Sequence, residues 1–290
     1  MIPAKPRVSI IGGYGGMGRL FSKMFLTDGF DVVVAGPTEA KGRKAEKELG
    51  VKYVRDNREA VAEADLVIIT VPIRGTLDVI REVGPAMKGG SCLIDLTSVK
   101  AWPCEAMGRA APKSAEVVGT HPVFGPTVGT FRGQHVVLCK VRGSDWFGWL
   151  KKYLEKKGAL VTVCTPEEHD KVMGVVQGLS HFMLFSAGKA LKDLKVDMKK
   201  SREMSSPVYQ LILDLVGRLL AQDPSMYCEI QLENRNSAGV RKAFLEAAEE
   251  LDNIISRGDE DAFVKEAEEA AKHFKDAEGA LKRTDDLLKK

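Results

Sequence analysis

RVSIIGGYGGMG, Arg7 to Gly18, sets a short β-branched run directly against Gly13, Gly15 and Gly18 in G-x-G-x-x-G spacing. RVSII reads as a strand, and GMGRLFSKMFLTDG after it reads as an amphipathic helix, so the glycines occupy a strand-to-helix turn. There the first glycine permits a tight bend and the second lets the backbone approach a pyrophosphate. The third allows the helix to pack closely on the strand. Bare amide groups at the helix start, aided by the helix dipole, favour phosphate. The spacing predicts dinucleotide binding by Gly13, Tyr14, Gly15, Gly16, Met17 and Gly18, within a sheet of parallel strands.

Downstream, further β-branched runs at 31–35, 65–71, 91–97, 115–120, 135–141 and 160–165 alternate with helix-like stretches. Such alternation, with nearly continuous apolar strands, marks an α/β doubly wound parallel sheet. A Rossmann-type domain is expected over residues 1–165. After Thr165 the periodicity is helical. TPEEHD offers a helix start, with Thr165 as N-cap, Pro166 at the first position and Glu168 completing a capping box. PVYQLILDLVGRLLAQDP reads as one apolar helix stopped by Pro224. Residues 166–290 are therefore expected to form an all-α C-terminal domain for substrate binding and dimerisation. Gly174 and Gly178 lie in an apolar helix, where each costs roughly 1 kcal/mol relative to Ala. Close helix approach would offset that cost, and an intertwined homodimer is the expected source of it.

A chain of 290 residues suits one large and one medium domain. The net charge of +3, with basic and acidic residues interspersed, argues against nucleic-acid or membrane partners. Cys92, Cys104, Cys139, Cys164 and Cys228 are scattered and form no CxxC. They read as buried free thiols in a reducing compartment, without a disulfide frame or a metal site. MIPAKPRVSII lacks the apolar stretch of a signal peptide, and the uncharged run from Val172 to Gly188 contains Gln177, Ser180 and His181. The latter suits a buried helix, and a cytoplasmic protein is expected.

An NAD site usually carries an acid at the end of the second strand to hold the ribose hydroxyls. Here Ala35, Gly36, Pro37 and Thr38 offer none, while Thr38, Lys41 and Arg43 could meet a 2′-phosphate. The cofactor is NAD or NADP, with the residues leaning to NADP. In a doubly wound sheet, ligands gather at the carboxyl ends of the strands. Val71 and Pro72 in TVPIRGT, Ser98 and Lys100 in DLTSVK, and His121 all fall at such ends. Together they offer a hydroxyl, a cation for a carboxylate and a proton acceptor. Each also has a structural reading: Ser98 as a helix N-cap, Lys100 as a surface charge, His121 as a strand-end histidine bonded to a local carbonyl.

GTHPVFGP, TSVK, EEHD and SSPVYQLILDLVGRLLAQDPSMYCEIQ, in that order, closely resemble the prephenate dehydrogenases, and the likeness runs from Arg7 to about Leu281. The resemblance implies oxidative decarboxylation of prephenate to 4-hydroxyphenylpyruvate and CO2, with hydride transfer to nicotinamide, in tyrosine biosynthesis. It implies His121 as the base for the ring hydroxyl and Ser98 hydrogen-bonding the same region. Arg218 in GRLLAQD, and Lys100, would bind substrate carboxylates. Arg218 sits among apolar residues in the sequence, where an unpaired charge would be costly. His169 and His181 also match family positions. His169 reads as structural, and His181 as either a core histidine or a substrate contact. His135 and His273 read as structural or surface residues. No chorismate mutase-like segment precedes Arg7, so the chain as given is expected to carry dehydrogenase activity alone, with a larger fused protein left open. Three rival readings remain: an arogenate dehydrogenase, a β-hydroxyacid dehydrogenase using a lysine such as Lys171, and a non-catalytic dinucleotide-binding module.

Overall fold

The computed structural model describes residues 2–289. They divide into two compact units, one running to Met173 and including Leu232–Arg235, the other formed by Gly174–Gln231 and the chain from Asn236 onward. The first unit thus carries one helix beyond Thr165. Asn234 belongs with it because its side-chain amide donates to the Asp170 carbonyl at 2.8 Å.

The first unit holds β1 (Arg7–Ile11), β2 (Asp31–Ala35), β3 (Lys52–Val54), β4 (Leu66–Ile69), β5 (Cys92–Asp95), β6 (Glu116–Pro122), β7 (His135–Arg142) and β8 (Leu160–Val163). They form one sheet in the order β3-β2-β1-β4-β5-β6-β7-β8. The first six are parallel, whereas β7 runs antiparallel to β6 and β8 parallel to β7. The expected all-parallel sheet is therefore mostly parallel, and β3 is an additional strand. Its helices are α1 (Gly16–Thr27), α2 (Glu39–Leu49), α3 (Asn57–Val61), α4 (Ile73–Val83), α5 (Ala101–Ala110), α6 (Asp145–Lys156) and α7 (Pro166–Met173). Alternate residues along a strand point to opposite faces. Accordingly Val32 and Val34 pack with Phe21, Phe25 and Trp146 on one side, and Val33 and Ala35 with Ile80 and Met107 on the other. Both faces are covered, which is why the strands read as unbroken apolar runs. The strand order reverses between β1 and β4, and the crevice beyond their carboxyl ends is where such sheets bind ligands.

Beyond Met173 every described element is helical. A π-helical turn, Gly174–Leu179, is followed by α8 (Ser180–Asp193), α9 (Met198–Glu203), α10 (Pro207–Leu220), α11 (Pro224–Glu233), α12 (Ser237–Ser256), α13 (Glu260–Phe274) and α14 (Ala277–Leu288). α10 ends at Leu220, and Pro224 opens α11 rather than stopping α10, because proline is well placed at a first helical position. A Cβ on Gly174 would lie 2.9 Å from Asn236 Cβ, and one on Gly178 would lie 3.1 Å from Ser237 Oγ. The two glycines therefore admit the start of this chain's own α12, so their cost is offset by packing inside the unit and they carry no argument for a dimer. All five cysteines are free, but only Cys92, Cys104 and Cys139 are buried; Cys164 is half-buried and Cys228 exposed, against the expectation of five buried thiols. No described helix is long and apolar enough to cross a membrane.

Candidate active site

The glycine turn joins β1 to α1 without a side-chain cap or an acidic residue in the first turn of the helix. A Cβ on Gly13 would lie 2.6 Å from Val34 Cγ1, and one on Gly18 would lie 2.6 Å from the Gly13 Cα, so β1, β2 and α1 meet through these two glycines. Gly15 is the N-cap, and the first amides of α1 face outward with the positive end of the helix dipole. Pro126, in the loop after β6, lies on Gly16, where an added Cβ would be 2.8 Å from its Cγ. Tyr14 and Met17 are half-buried beside the loop. Val71 reaches the loop from the end of β4, its Cγ1 3.0 Å from where a Gly12 Cβ would stand, and Pro72 is the N-cap of α4.

At the end of β2, Gly36 has φ +151°, and an added Cβ would meet the Tyr14 hydroxyl at 2.6 Å. No acidic side chain fits there. Thr38 is exposed as the N-cap of α2. Arg43 is exposed one turn on, paired with Glu46 at 2.9 Å and lying over the Tyr53 ring at 5.5 Å.

The β5 exit differs from the expectation in two respects. The N-cap of α5 is Lys100, not Ser98, which is half-buried in the turn. Lys100 is not a surface charge: it is fully buried, its ammonium paired with the equally buried Asp95 and hydrogen-bonded to Thr97 Oγ1 at 3.0 Å. Asp95 also accepts the Thr97 amide at 3.1 Å and the Thr120 amide at 3.3 Å. Lys100 thus points into the sheet end, its stem passing close to Gly119.

His121 is the penultimate residue of β6, paired with Val137 of β7, so a strand and not a loop holds it. It is 1% exposed. Its Nδ1 lies 2.8 Å from His169 Nε2, and His169 Nδ1 lies 2.8 Å from Asp170 Oδ1. Both latter residues sit on α7, whose start is capped by Thr165 Oγ1 accepting the Glu168 amide at 3.1 Å. Asp170 also accepts the Lys100 amide at 2.7 Å and the Ala101 amide at 2.9 Å, capping α5 from a distance. Burial pushes the His121 imidazole well below its ordinary range, with the facing His169 and the Lys100 charge adding to the shift. Burial also lowers His169, although Asp170 opposes it. Burial alone would raise the Asp170 carboxyl, but hydrogen bonds from His169 and the two amides outweigh it and hold the group below the carboxylate range. The cluster at neutral pH is two neutral imidazoles and one carboxylate. His169, read from EEHD as structural, and Asp170, which the sequence reading did not single out, are brought together with His121 by these contacts.

In the second unit, His181 on α8 stacks edge-on against Tyr227 at 4.7 Å, and its buried Nδ1 has no hydrogen-bond partner. Burial lowers its basicity. Arg218 is exposed near the end of α10, so the desolvation argued from its apolar neighbours does not arise. Its charge bears on the Tyr227 phenol. His135 and His273 are exposed, as read. Lys171, the lysine a β-hydroxyacid dehydrogenase reading required, is exposed on α7.

Two family models match the chain: the prephenate dehydrogenase nucleotide-binding domain over residues 21–163 and the prephenate dehydrogenase dimerization domain over residues 165–269. The chain belongs to the prephenate dehydrogenase family. A probable arogenate/prephenate dehydrogenase of Methanocaldococcus jannaschii is 41% identical over 92% of the chain, which spans 60% of that protein. The T-protein of Haemophilus influenzae is 30% identical over 97% of the chain and 71% of its own length. Among solved structures, prephenate dehydrogenase from A. aeolicus, in complex with hydroxyphenyl propionate and NAD+, superposes with a TM-score of 0.79. It covers 94% of this chain and 99% of its own, at 22% identity, and so supports the fold. The family's two-domain description thus agrees with a dinucleotide-binding sheet followed by helices.

Proposed function

We propose that this chain is an NAD(P)-dependent prephenate dehydrogenase, oxidatively decarboxylating prephenate to 4-hydroxyphenylpyruvate. The observation that carries the reading is a buried, neutral histidine at the carboxyl end of β6, on the sheet edge that also carries the glycine turn. The turn fits a dinucleotide, since its glycines leave no room for side chains and its helix start presents uncapped amides. When bound, the nicotinamide supplies the hydride acceptor. Gly13, Tyr14, Gly15, Gly16, Met17 and Gly18 would hold the pyrophosphate region, with Val71 and Pro72 along the nicotinamide side. At the ribose, the lack of an acid over Ala35–Thr38 and the availability of Thr38 and Arg43 favour NADP over NAD; the exposed pairs of Arg43 with Glu39 and Glu46 are weak enough to open.

His121 takes and holds the proton of the ring hydroxyl as its carbon loses hydride and gains carbonyl character. Loss of CO2 then aromatises the ring, and the proton returns to the phenol oxygen. Ser98 would hydrogen-bond the same hydroxyl, Arg218 would bind a substrate carboxylate, and His181 would be a further substrate contact. Lys100, committed to Asp95, serves to hold the β5 exit in place rather than to meet substrate. Arogenate is the second candidate substrate, since the Methanocaldococcus jannaschii relative carries both names. The free cysteines favour a cytoplasmic protein, and the dimerization-domain match favours a homodimer through the helices.

The test is nicotinamide reduction with prephenate or arogenate, each with NAD or NADP. No turnover with any of the four pairs refutes the enzyme reading. His121→Asn should lower kcat by roughly 10²- to 10⁴-fold, the range for losing an acid–base group, while leaving cofactor affinity unchanged. An unchanged kcat would remove His121 from the chemistry.

A further inference from the structure

The base and the two buried groups beyond it, His169 and Asp170, form a chain with a fixed direction. An ionised carboxylate only accepts hydrogen bonds. Asp170 Oδ1, 2.8 Å from His169 Nδ1, therefore requires the proton of His169 to sit on Nδ1. Neutral His169 then presents a lone pair at Nε2, and the 2.8 Å contact to His121 Nδ1 requires the proton of His121 to sit on Nδ1. What remains to His121 is a lone pair on Nε2. The reverse arrangement would set the His169 Nδ1 lone pair against the Asp170 carboxylate. Asp170 cannot turn away from it, because its two oxygens are also tied to the Lys100 and Ala101 amides.

We propose that His169 and Asp170 are positioning residues that hold His121 in the single tautomer able to accept the substrate proton, and that His169 takes up the charge so generated. The proposal rests on the reading of His121 as the base. As the hydroxyl proton reaches His121 Nε2, the Nδ1 proton passes to His169 Nε2. His121 stays neutral with its proton on the other nitrogen, and the imidazolium forms at His169 against Asp170. Aromatisation reverses both transfers, so no proton is gained or lost. The groups facing His121 explain why the charge moves on. Lys100, partly offset by Asp95, disfavours a buried imidazolium at either histidine, but only at His169 does the charge meet a carboxylate in direct contact.

The tautomer is read directly from the imidazole nitrogen shifts of the protein labelled with ¹⁵N-histidine, with His121 assigned by its loss in His121→Asn. The expected result is a protonated Nδ1 and an unprotonated Nε2. A proton on Nε2 in the wild-type protein overturns the proposal whether or not any substrate turns over, which separates its failure from that of the functional reading. In kinetics, His169→Leu should lower kcat by roughly 10²- to 10⁴-fold, as for other losses of a tautomer-fixing partner, without raising the substrate KM. Its acid limb should also move, since His121 Nδ1 loses the ring nitrogen it faces at 2.8 Å. His169→Gln, whose amide oxygen can accept from Nδ1–H but cannot take the proton, should recover part of the rate. It also serves should the leucine variant not fold. Wild-type kcat and pH profile in His169→Leu, or equal losses in the two variants with unmoved pH profiles, would reduce His169 to packing and overturn the proposal.

Discussion

Replacing Lys100 with methionine separates a structural cation from a substrate ligand. Met is about as long as the lysine stem and keeps its apolar contact beside Gly119, whose added Cβ would stand 3.0 Å from Lys100 Cδ. The substitution therefore removes charge without opening a cavity. It leaves Asp95, fully buried, with the Thr97 amide and hydroxyl and the Thr120 amide as donors but no cation. Breaking a buried pair by deleting one partner costs about 3–5 kcal/mol, because an uncompensated charge remains. For a unit of this size each kcal/mol lowers Tm by about 2–4 °C, so a fall of roughly 6–20 °C is expected. Calorimetry or a fluorescence melt measures it. The double variant Asp95→Asn with Lys100→Met should recover most of the loss, since replacing both members of a buried pair is often nearly neutral. A Lys100→Met protein within about 1 kcal/mol of wild type, well below the cost of stranding a buried charge, would refute the buried-pair account. If its substrate KM also rose, Lys100 would return to the substrate site.

Three other outcomes are expected. Gly18→Ala places a Cβ 2.6 Å from the Gly13 Cα, so the backbone must shift; dinucleotide affinity should fall at least about tenfold, or ~1.4 kcal/mol, in a fluorescence titration, and an unchanged Kd would refute the close-packing account. His121 must be neutral to accept a proton, and burial lowers its basicity, so the acid limb of kcat/KM against pH should lie below the ordinary histidine value of about 6.5. A limb at or above that value would contradict the buried, neutral base. Arg218→Gln should mainly raise the substrate KM, with little change in Tm because the side chain is exposed; an unmoved KM would remove Arg218 from substrate binding.

The parallel core was legible because both its faces are covered, leaving five apolar runs bounded by turns. β3 was not, since three residues in an edge strand, Lys52–Val54, carry no periodicity. The reversal of β7 was hidden for another reason. An apolar run looks the same in either direction, and HVVLCKVR holds no residue that marks its sense. Side-chain direction was equally hidden at Lys100: TSVK at a strand exit suits a lysine facing a ligand or one folded back under β6, and only Asp95, five residues earlier, decides it.

The Asp170–His169–His121 chain joins residues 48 apart in sequence to a helix start 70 residues away, so no local pattern spells it. One clue was nonetheless present. The first amides of a helix need acceptors, and Ser98 was assigned that task for α5. Yet the helix begins at Ala101, which leaves Ser98 two residues short of the N-cap and the Lys100 and Ala101 amides without a local acceptor. Buried amides of that kind draw an acid from elsewhere in the fold. Once Asp170 supplies it, its carboxylate is fixed, the neighbouring His169 is fixed by the carboxylate, and the tautomer of His121 follows. A helix lacking its own cap thus sets the tautomer of a histidine on a neighbouring strand.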